Sequence, residues 1–469
     1  MSSDTSSKSS ARNSFTQGSL AALFAKNALP VIFVMSMNGL LAVVDAIYLG
    51  VYVGADALAA VTLMFPIYML TVALSTLVSS GMSSLLARYL GANNTLRARQ
   101  LFSGSHGLAL LISLLLIGAF VLFGHMITTL MASGNDALAQ MGHVYLRISI
   151  LATPIVFILS LHGDALRNEG HAPLMAAMSL FVTLANILFN YVLIAQWGMG
   201  VAGSAYGTAA AQGLALVIVL VYRHWGSNTL TSVDILRHSP LSDWKVILTL
   251  GAPQSLSFIG MSIVSTATIM ATQWMASPHY AATISAFGIT TRIMTFYFLP
   301  LLGLSFAMQS ITGNNYGAKK WHRSDASLRI ALSLALFYCV IAELLFLFAP
   351  EAIGGLFVHE AAVIAEVGRI MPMMTLMLIA AGPTLIIAAY FQAIGDAKRA
   401  AVLSLTKAYI FMLPLLFTLP LLLGERGIWL ANPIAELLLL GTTALVLMHT
   451  AQQTKRRWGL FTAPREIKK

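Results

Sequence analysis

Twelve long apolar stretches, separated by short polar segments, make up most of this chain and restrict what it can fold into. A helix needs about 20 apolar residues to cross the hydrocarbon core of a bilayer, where backbone polar groups must be paired internally. Only 9% of the residues are charged, whereas soluble domains carry about 25%. The sequence therefore predicts an all-α membrane protein with twelve transmembrane helices. The predicted spans are residues 28–50, 57–87, 101–123, 140–163, 172–195, 201–222, 246–275, 281–312, 327–348, 364–392, 400–423 and 428–450.

Basic residues mark one side of the predicted bundle. Most of the 27 lysines and arginines lie near the two termini or after even-numbered spans, as Arg88, Arg167 and Lys320 do. The opposite loops carry acids such as Asp56 and Glu425. Because cytoplasmic loops are enriched in lysine and arginine, we expect a multi-pass protein of the cell's inner (plasma) membrane with both termini in the cytoplasm.

The two halves of the chain resemble each other at an offset of about 225 residues. Ala28-Leu29-Pro30 matches Gly251-Ala252-Pro253, and Arg167-Asn168-Glu169-Gly170 aligns with Gln392-Ala393-Ile394-Gly395. Six spans per half predict two lobes related by a pseudo-two-fold axis along the membrane normal, an arrangement typical of transporters. The predicted organisation is a disordered cytoplasmic tail at 1–25, an N-terminal six-helix lobe at 26–222, a cytoplasmic linker at 223–245, a C-terminal six-helix lobe at 246–451 and a basic cytoplasmic tail at 452–469.

Soluble catalytic motifs are missing from the sequence. It has no P-loop signature, which argues against ATP-driven transport, and its single cysteine, Cys339, excludes a disulfide framework. Four histidines (His106, His125, His143 and His162) are scattered without metal-ligand spacing. We therefore expect a monomeric non-enzyme without cofactors or nucleic-acid partners, whose partners are the lipid bilayer and a small-molecule substrate.

Several motifs, taken in order, resemble the multidrug and toxic compound extrusion (MATE) family. They are Ala28-Leu29-Pro30 with Val44-Asp45, Phe65-Pro66, Leu166-Arg167-Asn168-Glu169-Gly170, Gly200-Val201-Ala202-Gly203-Ser204-Ala205 and Phe391-Gln392-Ala393-Ile394-Gly395-Asp396-Ala397-Lys398. The resemblance covers about residues 26–450. It implies a V-shaped twelve-helix antiporter that exports drugs or metabolites in exchange for protons or sodium ions. An acid in span 1, with none at depth in spans 7 and 10, resembles the DinF-like branch.

Asp45 is the leading candidate for the coupling site. An ionised aspartate at the bilayer centre costs about 2.5–3.5 kcal/mol, so it must face a cavity, find a partner or hold a proton. The resemblance places Asn186, Asn190 and Thr208 around it. Related proteins often carry a second aspartate where this chain has Asn190, and a single negative charge favours a proton as coupling ion. Sodium held by Asp45, Asn186, Asn190 and Thr208 is the alternative. A purely structural interpretation is that the polar side chains only form hydrogen bonds between helices.

Four further residues are predicted to line the substrate cavity or a gate: Asn38, Arg292, Tyr297 and Gln309. Glu343 and Glu436 are candidate partners for Arg292. The leading hypothesis is a secondary-active antiporter that exports bulky, often cationic, organic compounds in exchange for protons. The alternatives are a sodium-coupled multidrug exporter and a flippase for lipid-linked substrates with a related architecture.

Overall fold

The structure, a computed structural model, describes residues 13–132, 134–226, 229–275, 280–454 and 456–461. Its helices are α1 Leu20–Tyr48, α2 Ala55–Leu63, α3 Phe65–Gly91, α4 Thr95–Met131, α5 Asp136–Leu151, α6 Thr153–Glu169, α7 Ala172–Asn190, α8 Gly200–Trp225, α9 Ser232–Arg237, α10 Trp244–Trp274, α11 Tyr280–Gly317, α12 Trp321–Phe348, α13 Pro350–Gly355, α14 Ala361–Thr375, α15 Leu378–Ala393, α16 Ala397–Leu405, α17 Leu413–Leu423 and α18 Arg426–Thr454. Five-to-seven-residue π-helical turns extend α1 and α7 and join α16 to α17.

The helices account for the twelve predicted spans. Within the described residues, ten helical segments are long and apolar enough to cross a membrane, and two bent pairs raise the number to twelve. The pair α5–α6 bends by 49° and the pair α14–α15 by 46°. Predicted span 57–87 is interrupted at Met64, so that α2 is a separate short helix before α3. The predicted all-α membrane fold is thus confirmed.

Backbone details recur in the two halves. Asn93 and Lys319, both at the turn that follows a long buried helix, have positive φ angles of 56° and 57°. Gly170 ends α6 with a φ of 90°, and Gly395 follows α15 with a φ of 87°. Glycine adopts this left-handed conformation without steric cost. Equivalent turns and equivalent bends therefore show that the sequence repeat is a structural repeat.

Crosswise helix pairs join the two lobes. Helix α1 packs on α11 and α3 packs on α10, and these pairs exchange under the repeat. At one end of the molecule, the ends of α3 and α11 approach so closely that glycine is required. A Cβ added at Gly91 would lie 2.0 Å from the Asn314 carbonyl oxygen, and one added at Gly317 would lie 2.1 Å from that of Arg88. Backbone therefore packs directly on backbone at this end, which we name the closed end.

Side chains add reciprocal contacts at the closed end. The guanidinium of Arg167, from the N-terminal lobe, lies 4.8 Å from the ring centre of Phe306 in the C-terminal lobe. The amide of Gln392, from the C-terminal lobe, donates a 2.6 Å hydrogen bond to Ser80 in the N-terminal lobe. Arg167 and Gln392 occupy equivalent positions in the two halves. Equivalent polar side chains of the two lobes thus each contact the opposite lobe.

The segment before α1 is ordered, which corrects the prediction of a disordered tail through residue 25. Phe15 is only 1% exposed and belongs to the hydrophobic core of the C-terminal lobe. The Asn13 amide donates to Asn314 Oδ1 over 2.8 Å, and Arg323 donates to the carbonyl oxygens of Phe15, Gln17 and Gly18. Segment 13–18 is therefore held across the closed end. Residues 1–12 lie outside the described residues.

The segment between the lobes is shorter than the predicted linker at 223–245. Helix α8 continues to Trp225 and α10 begins at Trp244. Arg223, which the sequence placed in the loop, is fully buried, pairs with Glu169 at 2.9 Å and donates to the Leu230 carbonyl oxygen. An arginine can end inside a lobe in this way because a buried carboxylate neutralises it.

The C-terminal segment also differs from the predicted tail at 452–469. Helix α18 continues to Thr454, and the short turn after it packs on the protein. Leu460 is buried, and its carbonyl oxygen accepts a 2.6 Å hydrogen bond from the Tyr390 hydroxyl. Residue 455 and residues 462–469 lie outside the described residues.

Close backbone packing at the closed end predicts a position-specific sensitivity to added methyl groups. Gly91→Ala forces the α3 and α11 ends apart, and overpacking of this kind costs about 1–3 kcal/mol. We expect a lower midpoint of thermal unfolding in detergent. Gly118→Ala is the matched control, because a Cβ there meets no atom within 4 Å and alanine favours a helix. Equal midpoints for the two variants would contradict the close approach.

Candidate functional site

Asp45 lies in α1 at the centre of a polar cluster within the N-terminal lobe. The Asn190 amide donates to Asp45 Oδ1 over 2.6 Å, and the Thr208 hydroxyl lies 3.3 Å from Asp45 Oδ2. The Asn186 amide donates to the Thr208 hydroxyl over 2.9 Å. The Asn190 amide also lies 3.1 Å from Asn186 Oδ1. All four residues predicted to form the cation-coupling cluster are therefore brought together by α1, α7 and α8.

Local helix geometry explains how the cluster forms. Asn186 and Asn190 are four residues apart on α7, and therefore project from one face. Both are fully buried. Asp45 is followed within one turn by the π-helical turn that begins at Leu49, and Asn190 is followed directly by the one that begins at Tyr191. π-Helical turns are rare in proteins, but those that occur often lie at functional sites, where they redirect side chains within a helix.

Gly207 was not singled out from the sequence, yet it shapes the cluster. A Cβ at this position of α8 would lie 2.3 Å from Asn190 Oδ1. That oxygen is buried and has no hydrogen-bond partner among the described residues. Glycine thus lets α8 approach α7 closely enough for Thr208 to reach Asp45. The feature that could have revealed it is its place beside the predicted Thr208.

Two tyrosines lie close enough to the same carboxylate to interact with its charge. Tyr68 in α3 and Tyr145 in α5 both interact electrostatically with Asp45. With these phenols, five helices contribute ionisable or polar groups to one region of the N-terminal lobe. The sequence alone gave no reason to choose them among the 14 tyrosines.

The arrangement can hold a carboxylate that changes its charge. When ionised, Asp45 accepts hydrogen bonds from one amide and one hydroxyl, and hydrogen bonds to a charged group are roughly twice as strong as neutral ones. When protonated, it becomes a donor and the amide of Asn190 loses its charged acceptor. Protonation of Asp45 would therefore change the hydrogen bonds that join α1 to α7 and α8.

The residues predicted for a cavity or gate are dispersed. Asn38 and Arg292 are exposed. The candidate partners of Arg292 are engaged elsewhere, because Glu436 pairs with Lys407 and Glu343 accepts from the backbone N–H groups of Met377 and Ile379. The predicted pairing of Arg292 with either glutamate is therefore wrong.

Tyr297 and Gln309 are buried. Tyr297 is 7% exposed, stacks on Tyr338 and shares a 3.1 Å hydrogen bond with the Cys339 thiol. It therefore packs inside the C-terminal lobe, contrary to its predicted place in a cavity. Gln309 is 3% exposed, and its Oε1 has no partner among the described residues.

The histidines that looked isolated in the sequence include one close pair. His106 Nε2 and His162 Nε2 are 3.4 Å apart, and both rings contact Phe102. Arg223 stacks over the same phenylalanine. Within the described residues, no group of three or more His, Cys, Asp or Glu could hold a metal ion. The pair therefore packs as part of a buried polar cluster in the N-terminal lobe.

Substitution of Gly207 tests the geometry around Asp45. Gly207→Ala would push Asn190 away from Asp45 and leave the carboxylate short of a partner, which costs about 1–3 kcal/mol. We expect a clearly lower midpoint of thermal unfolding. Gly213→Ala, on the same helix, is the control, since the nearest atom to its Cβ is 3.9 Å away. An unchanged midpoint for Gly207→Ala would show that the close approach of α8 to α7 is not needed.

Comparison with known proteins gives the family. The MatE family model matches residues 30–192 and 253–418, one segment in each lobe and more than half of the chain together. The multidrug export protein MepA of Staphylococcus aureus is 22% identical over 411 residues, which cover 87% of this chain and 89% of MepA. MepA of Staphylococcus haemolyticus is 22% identical over 425 residues, which cover 90% and 92%.

Solved structures share the fold. An outward-facing multidrug resistance MATE transporter of the MOP superfamily superposes with a TM-score of 0.84 at 22% identity, covering 94% of this chain and 98% of that one. A MOP superfamily transporter from Pyrococcus furiosus, whose binding pocket is described as having reverse polarity, gives 0.85 at 20% identity with the same coverage. The chain belongs to the MatE family of multidrug and toxic compound extrusion transporters, and it is a membrane transporter, not an enzyme.

Proposed function

We propose that this transporter is a proton-coupled antiporter of the DinF-like branch. It exports bulky, often cationic, organic compounds from the cytoplasm, and Asp45 is its coupling residue. The observation that carries the proposal is the polar cluster of Asp45, Asn186, Asn190 and Thr208, set within an apolar lobe.

The composition of the cluster favours a proton over sodium. Asp45 is its single carboxylate, and the Asn190 amide presents an N–H group to it. A sodium ion is held by several oxygen ligands, which hard cations require. An N–H donor facing the carboxylate instead stabilises the ionised acid without a metal ion. The cluster thus suits an acid that gains and loses a proton.

Charge competition at Asp45 supplies the coupling. The ionised carboxylate attracts a cationic compound into the N-terminal lobe, and a proton that binds to Asp45 removes this attraction. A ligand shifts an equilibrium between two conformations only through its different affinity for them. If the proton and the substrate exclude each other at Asp45, the transporter carries substrate in one direction and a proton in the other. This exchange is antiport.

The closed end bears on the orientation of the protein in the membrane. Gly91 and Gly317 close the lobes at the end that carries Arg88, Lys320 and Arg323. By the distribution of basic residues this end faces the cytoplasm. In the proposed cycle, a bundle closed at its cytoplasmic end corresponds to the outward-facing state, in which Asp45 receives protons from outside and substrate is released there.

Neutralising Asp45 should abolish coupling. In proteoliposomes that carry an imposed pH gradient, we expect Asp45→Asn to move fluorescent organic cations no faster than liposomes without protein. Asp56→Asn, an exposed acid at the start of α2, should retain the wild-type rate. In detergent, both variants should elute from a size-exclusion column at the same volume as the wild type, which checks that they are folded.

The same assay separates the alternatives. A sodium gradient imposed without a pH gradient drives nothing if the proposal is right. Export driven by a sodium gradient alone would show that sodium, and not the proton, is the coupling ion. Full proton-driven export by Asp45→Asn would remove Asp45 from the mechanism. If neither gradient moves any compound in a broad panel, a flippase for lipid-linked substrates becomes the better assignment.

A further inference from the structure

A charged pair lies inside the membrane, in the C-terminal lobe. Glu436 is the eleventh residue of α18, and Lys407 is the eleventh residue of the span Ala397–Leu423. At 1.5 Å per residue, each lies about 15 Å from the end of its helix, near the middle of the bilayer. Lys407 Nζ donates to Glu436 Oε1.

The pair is asymmetric in its burial. The side chain of Glu436 is 4% exposed and that of Lys407 is 30% exposed. The second oxygen of Glu436, Oε2, is buried and has no hydrogen-bond partner among the described residues. Among the described residues, Lys407 therefore provides the one recorded hydrogen bond and ion pair of this carboxylate.

Other ionisable groups near Glu436 do not supply a positive charge. Tyr297 from α11 and Cys339 from α12 interact with the charge of Glu436, and they are bonded to each other. Glu343 from α12 accepts from two backbone N–H groups at the start of α15.

The remaining helices around α18 place their charges elsewhere. Arg369 of α14 pairs with Glu366 and with Glu425, which directly precedes α18. Arg399 of α16 pairs with Asp396 at the closed end. Helix α15 contributes Tyr390, which bonds Leu460, and α10 contributes Lys245 at its first turn. Lys407 alone balances Glu436 among the described groups.

The repeat places this pair opposite the Asp45 cluster. Gly200 at the start of α8 matches Gly427 in α18, so Thr208 corresponds to Ala435, the neighbour of Glu436. The position in α10 equivalent to Asp45 is Thr268, which bonds the Val264 carbonyl oxygen. The C-terminal lobe thus has its acid on α18 and, unlike the N-terminal lobe, a cation of its own on the facing helix.

We propose that Lys407 is a tethered counter-ion that keeps Glu436 ionised throughout the transport cycle, so that a single acid, Asp45, couples each turnover to one proton. This inference rests on the proposed proton-coupled function. An ammonium group attached to the chain cannot be exchanged for a proton or a substrate cation. The C-terminal lobe therefore keeps the same net charge in every conformation, and the N-terminal lobe alone changes charge.

Removal of the lysine charge should create a second proton site. Lys407→Met leaves a buried carboxylate without a charge partner, and such a group takes up a proton instead of remaining charged. Infrared spectra are recorded for protein in lipid at neutral pH, and the wild-type spectrum is subtracted from that of each variant. We expect the difference spectrum of Lys407→Met to show a band of a protonated carboxyl group. The double variant Lys407→Met/Glu436→Gln should lack this band. Lys398→Met, at the exposed start of α16, is the control and should match the wild type.

The number of protons per cycle provides the second readout. With membrane potential held at zero, the substrate gradient that stops net flux of a monovalent cation is measured against the pH gradient. The slope gives the proton number. We expect one for the wild type and for the double variant, because Asp45 alone exchanges a proton in both, whereas two for the wild type would show that Glu436 also gains and loses a proton in each cycle. The double variant restores the charge balance, so it keeps the test valid if the single variant unfolds.

Each result decides a separate question. A folded Lys407→Met without a new carboxyl band, or a wild type with a slope above one, would overturn the role of Lys407. If the wild type responds to sodium and not to pH, the proposed proton coupling fails. The infrared comparison would then still decide whether Lys407 holds Glu436 in its charged form, because it needs no transport.

Discussion

Hydrocarbon tolerates a charge only when other groups of the protein surround it, and this constraint organises both lobes. In the N-terminal lobe, neutral amides and a hydroxyl surround Asp45. In the C-terminal lobe, a lysine side chain meets Glu436. In the proposed cycle, the first arrangement lets the charge of the acid change and the second keeps it constant. Two lobes built from one repeated fold thus handle an embedded acid in opposite ways.

Contact between the lobes depends on the absence of side chains. At the closed end, Gly91 and Gly317 each let a carbonyl oxygen of the opposite lobe occupy the space that a Cβ atom would need. Small residues allow helices to pack closely inside membranes, where burial of apolar surface gives no driving force. Such an interface can separate without exposing large apolar side chains, which suits a contact that forms and breaks in every cycle.

The sequence predicted most of what hydropathy and spacing control. Span number, the repeat and the gathering of Asp45 with Asn186, Asn190 and Thr208 could all be inferred, because lipid imposes helices and because the family resemblance aligns these positions. Contacts between side chains that are far apart in the sequence could not be inferred. Arg223 looked like a loop residue but pairs with Glu169, and Tyr297 looked available for a cavity but is buried against Cys339. Such pairings depend on how helices rotate about their axes, which periodicity in an apolar chain does not determine.

Segment 13–18 has a consequence for the order of assembly. Its partners Asn314, Asn315 and Arg323 lie about 300 positions later in the chain. Segment 13–18 therefore cannot complete its contacts until the second half of the chain has been synthesised and inserted. Phe15 must wait in a non-native environment during that time, so docking of this segment belongs to the last steps of folding, after the two lobes have met.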